Sequence, residues 1–238
     1  CVPNIKLMKK TLLFLVLFSA SVISCNDEEI VAVQNAELKV KSVLTADGLT
    51  EYTYGSNGFV SKMSFNSEHL DMYSEAVYRY EQNKLVQIAI YTNNLLFSTH
   101  EYFYKNEALV RSTYKEEGQE GVSSTEYLYN NAGELQESFG FSGNEKVATT
   151  TYEYLNGNLQ SEHTKTIYGT EYGASYKYDD KVNFLSYTFP KEYLVISKQG
   201  KNNVITDGES FAYSYRYNSD NYPIEQQTAT FTNIITYF

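Results

Sequence analysis

Apolar and polar residues alternate with a period of two along most of this chain, as they do in a strand with one buried face. Val86, Ile88 and Ile90 form one such run, and Leu135 to Phe141 form another. Turn-forming residues, including two Asn-Gly pairs, separate the runs and favour tight hairpins because they tolerate positive φ. The sequence shows no long helical period. The pattern therefore predicts an all-β protein.

A Tyr-x-Tyr pair recurs at a nearly constant interval. From one second tyrosine to the next the intervals are 26, 24, 25, 25, 24 and 39 residues. The pairs are Tyr52/Tyr54, Tyr78/Tyr80, Tyr102/Tyr104, Tyr127/Tyr129, Tyr152/Tyr154, Tyr176/Tyr178 and Tyr215/Tyr217. We interpret each interval as one hairpin, in which strand geometry places both rings on one face. The predicted turns include Ser56-Asn57-Gly58, Asn131-Ala132-Gly133, Asn156-Gly157 and Asp220-Asn221.

Tandem hairpins of about 25 residues each define the expected fold. Glu37 to Leu44 can supply an outer strand before the first pair, and Thr232 to Phe238 can supply a last strand. Because an open twisted sheet of more than about ten strands usually curls or closes, we expect one strongly curved sheet, which can be a half-barrel, a spiral or a barrel. Residues 37–238 then form a single repeat domain.

The last interval carries an insertion at about residues 179–212. It contains Pro190, the apolar run Tyr193-Leu194-Val195-Ile196 and a polar stretch from Ser197 to Asn203. An insertion in a regular repeat is a common place for function. It can equally be a cap on the open core of a curved sheet. The cap is favoured because Phe184, Tyr187, Phe189 and Leu194 are too apolar to remain in water.

The N-terminal residues indicate export. Lys9 and Lys10 precede an apolar segment, Thr11 to Ile23, that is too short to span a membrane. It ends at Ser24-Cys25 and resembles a bacterial lipobox. We therefore expect a signal peptide within residues 1–24, with Met8 as the initiator methionine, and we expect Cys25 to receive the lipid. The alternative is an ordinary buried thiol after a plain signal peptide.

An acidic tether is expected at residues 25–36. It opens with Asn26, Asp27, Glu28 and Glu29, which resemble the acidic signal that sends lipoproteins of Bacteroidota to the outer face of the outer membrane. The resemblance implies a lipid-anchored protein of the cell surface. A merely polar tether is the alternative.

Composition narrows the classes of function. The chain has 24 Tyr, 13 Phe and no Trp, and its 19 Lys+Arg against 29 Asp+Glu give a formal net charge of −10. With 42% hydrophobic and 20% charged residues it can build a core and is not a disordered chain. An acidic chain lacks the basic surplus that binds phosphates, so no nucleic acid is expected as a partner.

Candidate catalytic chemistry is sparse. His69, His100 and His163 are scattered without metal-ligand spacing. There is no nucleophile elbow, Gly-rich phosphate loop or calcium loop. If Cys25 is acylated, the mature chain has no thiol left. We therefore predict no catalytic residue, metal or cofactor, although a pair of glutamates of the kind that hydrolyses glycans is not ruled out by the sequence.

Aromatic rings are the remaining candidates for binding, because a ring can cover the face of a sugar while a hydroxyl donates a hydrogen bond. The paired tyrosines repeat in every unit, so their simplest role is a packed ladder between hairpins. The candidate ligand-binding residues are the tyrosines outside the pairs and near the insertion: Tyr168, Tyr172, Tyr187 and Tyr193.

The segment from Tyr52 to Val60, Tyr-Thr-Tyr-Gly-Ser-Asn-Gly-Phe-Val, is similar to the YD repeat of Rhs-type proteins. The chain also resembles tyrosine-rich repeat lipoproteins of unknown function from Bacteroidota, through Tyr178 to Phe184, Lys201 to Val204 and Tyr217 to Pro223. Most turns lack the Asp of the YD motif, and Asn221 stands in place of a Gly. Rhs-type shells use many more repeats, so the resemblance implies the fold but not encapsulation.

Three functions remain open. The favoured one is a non-catalytic surface module that binds a glycan or a protein partner. The alternative is a structural or accessory subunit of an envelope complex, and a glycan hydrolase is the third.

Overall fold

Sixteen β-strands and one short helix make up the part of the chain that the structure, a computed structural model, describes: residues 37–208 and 212–238. The strands are β1 (Val40–Leu44), β2 (Leu49–Tyr54), β3 (Val60–Ser67), β4 (Met72–Glu81), β5 (Lys84–Thr92), β6 (Leu95–Lys105), β7 (Ala108–Glu116), β8 (Ser123–Tyr129), β9 (Leu135–Ser142), β10 (Glu145–Leu155), β11 (Asn158–Thr166), β12 (Glu171–Val182), β13 (Asn202–Asp207), β14 (Ser214–Tyr217), β15 (Pro223–Gln227) and β16 (Thr232–Tyr237). The helix α1 (Lys191–Ile196) lies between β12 and β13. The predicted signal peptide, Cys25 and the tether lie outside the described residues.

All sixteen strands belong to one antiparallel sheet, in the spatial order β13 to β1 and then β16, β15 and β14. The sheet is nearly closed and barrel-shaped, with one seam between β13 and β14. This confirms the prediction of an all-β, strongly curved sheet of tandem hairpins. The expectation that the first strand lies at the outside is corrected, because β1 pairs with both β2 and β16.

The two ends of the described sheet region are joined by this pairing. Val43 lies opposite Ile235 in the β1–β16 register, and the hydroxyls of Ser42 and Thr236 are 2.7 Å apart. The edges of the sheet therefore fall at β13 and β14, in the interior of the chain. An isolated bridge between Thr206 and Ala212 is the backbone pairing found across this seam.

A β-bulge recurs immediately before the second tyrosine of the pair. In the β2–β3 hairpin Thr53 lies opposite Lys62 but Tyr54 lies opposite Val60, so Ser61 is the extra residue. The same shift occurs in the β4–β5, β6–β7, β8–β9, β10–β11 and β14–β15 hairpins. Because each bulge increases the local twist and bends its strand, a repeated bulge curves the whole sheet in one direction.

The second tyrosines join successive hairpins through a repeated hydrogen bond. In four of the hairpins this hydroxyl donates to the carbonyl of an apolar residue near the start of the strand that precedes its own. The pairs are Tyr54 with Val40 (2.9 Å), Tyr80 with Val60 (2.7 Å), Tyr104 with Leu85 (2.9 Å) and Tyr129 with Leu109 (2.8 Å). The four acceptor residues are at most 1% exposed. We call this repeated contact the tyrosine ladder.

The ladder continues into a unit that the Tyr-x-Tyr search does not find. In β16 the residues Ile235 and Tyr237 stand where the other units have two tyrosines, and the Tyr237 hydroxyl donates to the Pro223 carbonyl at 2.7 Å. Ile235 is 3% exposed. In this unit the first position therefore carries a buried apolar side chain in place of a tyrosine, whereas the second keeps a hydroxyl that reaches a backbone carbonyl.

The hairpin turns have the backbone that their residues favour. Asn156 and Gly157 both have positive φ, as the tight turn between β10 and β11 requires. Gly58 and Gly133 adopt φ of +82° and +78° in the longer predicted turns. Asn221 adopts φ +63°, so an asparagine replaces glycine there at little cost, since its side chain tolerates this region.

The core lies on the concave side of the sheet, where both rings of the pairs face inward. Its buried residues come from β3 to β7 and from the insertion: Val60, Ala76, Tyr78, Leu85, Ile88, Tyr102, Leu109 and Phe189. Tyr193, Leu194 and Ile196 of α1 pack against them. Within the described residues no helix is long and apolar enough to span a membrane.

Candidate functional site

The segment between β12 and β13, residues 183–201, lies across the end of the sheet at which the pair-containing hairpins turn. We call it the cap. Its Thr188 carbonyl accepts a hydrogen bond from the Val60 amide at 2.9 Å. Beside it, the Asn158 side chain donates to Asn202 at 2.9 Å and accepts from the Asn202 amide at 3.1 Å. The Lys201 amide of the cap donates to the Gly157 carbonyl at 3.3 Å, so the cap connects the β2–β3 turn with the β10–β11 turn.

The cap is held by aromatic packing as well as by hydrogen bonds. Phe189, 9% exposed, lies with its ring centroid 5.2 Å from Tyr78. Tyr193 meets Phe189 edge-on at 5.1 Å and Tyr102 edge-on at 5.7 Å. Edge-to-face pairs at these separations are favourable beyond the area they bury. The cap therefore belongs to the core on its inner side, which makes its outer side a fixed surface.

A cavity of about 620 Å³ lies between the cap and the hairpin turns. We call it the turn-end cavity, and the side chains that matter for its chemistry are Glu37, Lys39, Phe59, Tyr187, Lys191 and Lys201. Its volume falls in the range of small-ligand sites, roughly 300–1,000 Å³. The lining comes from four separate parts of the chain, residues 37–39, 57–59, 157 and 186–201, so only the folded sheet with its cap forms the cavity.

Apolar rings form part of the cavity wall and are fixed from behind. Phe59 stacks on Tyr80 at 5.9 Å with an angle of 24° between the rings. Phe189 lines the cavity with its outer edge while its ring packs in the core. Such preorganised rings suit the flat apolar face of a sugar ring, because binding then costs little side-chain entropy.

Lys39 is positioned by two contacts at the edge of the cavity. Its Nζ donates to the Gly58 carbonyl at 2.7 Å and lies 5.2 Å from the centre of the Tyr54 ring. A side chain at residue 58 is disfavoured twice, since its backbone has φ +82° and a Cβ there would lie 3.1 Å from the Lys39 Nζ. The turn glycine therefore leaves room for the ammonium group.

One of the four predicted ligand-binding tyrosines, Tyr187, lies in the wall of the turn-end cavity. Tyr193 is not in that wall and packs against the core. Tyr168 and Tyr172 are 84% and 60% exposed at the β11–β12 connection. β12 has 12 residues and separates them from the cap, a distance of about 37 Å in an extended strand. They do not share a site with Tyr187.

The repeat tyrosines face the interior, as a scaffold requires. Tyr78 and Tyr102 are each 8% exposed. Burial raises the pKa of Tyr52 and of Tyr104 to about 12, because the ionised phenolate is poorly solvated there. A side chain that is withdrawn from water in this way offers no open face to a ligand.

Charges elsewhere in the interior are already paired. A second cavity of about 320 Å³ between the cap and β12 to β15 has Lys198 and Tyr176 in its wall. The Lys198 Nζ lies 2.5 Å from a Glu162 carboxylate oxygen, and the Tyr176 hydroxyl donates to the other oxygen at 2.8 Å. This ion pair engages the lysine that lines the second cavity, whereas three lysines line the turn-end cavity.

Each of the three histidines contacts a different neighbour, and His69 lies 3.8 Å from Asp47. His100 packs on Tyr114 with ring centroids 4.8 Å apart, and burial lowers its pKa. His163 lies 3.5 Å from Glu171 on the exposed side. Among residues 37–208 and 212–238, no three His, Cys, Asp or Glu side chains are grouped as metal ligands.

Neither Phe59 nor the three lysines of the cavity were predicted as site residues from the sequence. Lys191 and Lys201 lie within the insertion, whereas Lys39 lies far from them in the chain. The one local signal is Phe59, an aromatic residue directly after the Asn57-Gly58 turn. Their convergence depends on the cap's crossing of the sheet end, which no periodicity encodes.

Comparisons with known proteins give a likeness in fold. The crystal structure of a porin-like protein from Bacteroides uniformis ATCC 8492 is similar, with 14% identity and a TM-score of 0.54 over 84% of this chain and 96% of that one. A TcdB2-TccC3-Cdc42 crystal structure matches at 14% identity and TM-score 0.33, over 76% of this chain and 10% of that one. The Photorhabdus luminescens Tc holotoxin pore matches at 11% identity and TM-score 0.27, over 80% and 14%.

Only the first of these scores indicates a shared fold, and this chain spans about a tenth of the toxin chains. No protein-family model matches the chain, and no curated protein matches it either. The resemblance to YD-repeat lipoproteins therefore remains a prediction, and the likeness to the porin-like protein concerns the architecture of the sheet.

Proposed function

We propose that this chain is a non-catalytic binding protein of the bacterial envelope, lipid-anchored through Cys25, that holds a saccharide in the turn-end cavity. The observation that carries the proposal is the cavity itself, about 620 Å³ in volume and walled by fixed aromatic rings beside polar side chains. Rings that cover a sugar face and polar groups that reach its hydroxyls are the usual elements of a saccharide site.

The envelope location is supported by the Ser24-Cys25 segment and by the fold likeness to a porin-like protein of Bacteroides. Glu37 lines the turn-end cavity and follows Cys25 by 12 residues. An extended tether of that length reaches about 40 Å. A lipid at Cys25 would therefore keep the capped end of the sheet near the membrane surface.

The convex side of the sheet supports attachment by lipid rather than insertion of the strands. Lys62 and Glu75 pair across β3 and β4 at 2.9 Å, and Arg79 pairs with Glu81 at 2.5 Å. Lys165 and Glu171 pair at 2.8 Å across β11 and β12. A surface that faces lipid would carry apolar side chains at such positions, because charged groups are costly in hydrocarbon.

Metabolic labelling with a palmitate analogue tests the anchor. The full chain should incorporate the label, and Cys25→Ala should lose it and leave the membrane fraction. Continued labelling of Cys25→Ala would refute lipidation at this residue. Surface display is tested separately by protease treatment of intact cells, in which replacing Asn26 to Glu29 by alanine should protect the protein from digestion.

Glycan-array binding tests the site, with the Cys25→Ala chain as the purified protein. Binding should fall about tenfold or more in Tyr187→Ala, because the ring and its hydroxyl leave the cavity wall. Tyr168→Ala is the matched control, since this exposed tyrosine lies at the other end of β12. Equal losses in both variants, or binding that neither change alters, would refute the assignment of the cavity.

Exposed apolar residues at the other end of the sheet support a second candidate, an accessory subunit of an envelope complex. Leu95 is 74% exposed and Phe97 46% exposed beside it. Exposed apolar groups of this size favour protein contacts. Crosslinking in intact cells should then join this protein to one defined envelope protein, and Leu95→Ser should abolish the crosslink while Tyr187→Ala retains it.

A further inference from the structure

The charge of the turn-end cavity is opposite to that of the chain. The whole sequence has 19 basic and 29 acidic residues. The charged residues that line the cavity are three lysines, Lys39, Lys191 and Lys201, and one glutamate, Glu37. An acidic protein that concentrates ammonium groups at one concave site creates a local attraction for anions.

Within the described part of the chain, the ammonium groups of these three lysines are not engaged by a carboxylate. Five lysines elsewhere lie 2.5–3.2 Å from an acidic side chain: Lys62, Lys84, Lys165, Lys181 and Lys198. No carboxylate of residues 37–208 and 212–238 forms such a pair with Lys39, Lys191 or Lys201. Their charge is therefore available to a ligand, and the gain on binding is not reduced by breaking an internal ion pair.

The three ammonium groups come from separate elements around one cavity. Lys39 precedes β1, Lys191 begins α1, and Lys201 ends the cap. Lys39 is held by the Gly58 carbonyl, and the other two are exposed. A fixed cation with two exposed ones can meet acidic groups at different points of an extended ligand, whereas a single small anion would use one of them.

We propose that the ligand of this cavity is an acidic oligosaccharide whose sugar rings carry carboxylates, that is, a uronic acid oligomer. The inference rests on the proposed function and specifies its ligand. The rings of Phe59 and Tyr187 take the apolar faces of the sugar, and the lysines bind its carboxylates. A neutral saccharide would leave three ammonium groups without a role, and inorganic phosphate would leave the aromatic walls without one.

Isothermal titration of the purified Cys25→Ala chain tests this ligand class. The probes are an oligogalacturonate, the same oligomer after chemical reduction of its carboxyl groups, and inorganic phosphate. Oligogalacturonate should bind at least about tenfold more tightly than its reduced form, since charge-assisted hydrogen bonds are lost on reduction. Its affinity should also fall as the salt concentration rises.

The matched variants are two double substitutions that change the net charge equally. Lys191→Ala with Lys201→Ala should weaken oligogalacturonate binding about tenfold or more and should leave the melting temperature unchanged, because both side chains are exposed. Lys115→Ala with Lys146→Ala, whose residues lie outside the cavity, should leave the affinity unchanged. Equal effects of the two double variants would mean that only net charge matters, and would overturn the site.

The outcomes separate this inference from the proposed function. Equal binding of the reduced and the acidic oligomers, lost in Tyr187→Ala, would overturn the uronate assignment and leave the saccharide site intact. Binding of inorganic phosphate as tight as that of the oligomer would also overturn it. No binding of either oligomer, together with an empty glycan array, would refute the proposed function itself.

Discussion

The Tyr80 hydroxyl donates to the Val60 carbonyl at 2.7 Å, and the amide of the same valine donates to the Thr188 carbonyl of the cap at 2.9 Å. Val60 is fully buried. A single residue therefore links the tyrosine ladder to the cap, through its two backbone groups, while its side chain fills the core. A buried backbone group without a partner is costly. Both contacts therefore stabilise β3, one by joining it to β4 and the other by joining it to the cap.

Removing one ladder hydroxyl should destabilise the protein in a position-dependent way. Tyr104→Phe deprives the Leu85 carbonyl of its partner and should lower the free energy of unfolding by about 1–2 kcal/mol. Tyr154 is the matched control, because its buried hydroxyl has no hydrogen-bond partner among the described residues. Tyr154→Phe should be neutral or stabilising. Denaturant unfolding measures both, and equal losses would contradict the ladder.

Removing a whole pair should be far more damaging. Tyr127 packs against the core and its hydroxyl lies 2.8 Å from that of Ser112, and Tyr129 donates to Leu109. Tyr127→Ala with Tyr129→Ala should lower stability by several kcal/mol, as truncation of buried aromatic rings does at roughly 3–5 kcal/mol each. Tyr168→Ala with Tyr172→Ala, two exposed tyrosines, should change the melting temperature little. An unchanged melting temperature in the first variant would place those rings in water.

Contact between the cap and β12 should be sensitive to one methyl group. A Cβ on Gly200 would lie 2.6 Å from the Asn158 Oδ1 and 2.9 Å from the Tyr178 ring. Gly200→Ala should therefore destabilise the protein by about 1–3 kcal/mol through overpacking. Gly140→Ala is the control, since its nearest atom would be 3.8 Å away. Thermal unfolding should separate the two, and a stable Gly200→Ala would show that the cap shifts freely.

Alkaline pH should unfold the protein in a steep transition. Burial raises the pKa of Tyr52, Tyr104, Tyr178 and Tyr215 to about 12, whereas an unfolded tyrosine ionises near 10. The unfolded chain thus loses these protons first. The free energy of unfolding is unaffected below about pH 10. It falls as the pH rises towards 12, by up to about 1.4 kcal/mol per pH unit for each buried tyrosine.

Circular dichroism and tyrosinate absorbance should change together in that transition. Tyr52→Phe should move the midpoint to higher pH, because one ionisation that favours the unfolded chain is removed. Tyr168→Phe should leave the midpoint where it is, since that side chain is 84% exposed. Tyrosinate absorbance that rises well before the loss of β-structure would show that the rings are open to solvent in the folded state.

The regular parts of the fold follow from the sequence for local reasons. A strand period of two, turns such as Asn156-Gly157 and a tyrosine pair every 24 to 26 residues are contained within each hairpin. Adjacent hairpins pair with each other because they are consecutive, so all-β repeats and curvature could be predicted. The eighth unit was missed because Ile235 replaces a tyrosine at a position where burial, rather than the hydroxyl, is required.

The tertiary structure decided where the sheet ends and where a ligand could enter. Pairing of β1 with β16 brings Ser42 to Thr236, and the period within a hairpin carries no information on contacts between the two termini. That pairing leaves β13 and β14 as the open edges, which places the seam between them. The cap fills the concave space at the turn end of the sheet. Lys39, Lys191 and Lys201 meet there as a consequence. The sequence by itself determined the scaffold, whose interactions are local, and the folded sheet determined the cavity, whose residues are distant along the chain.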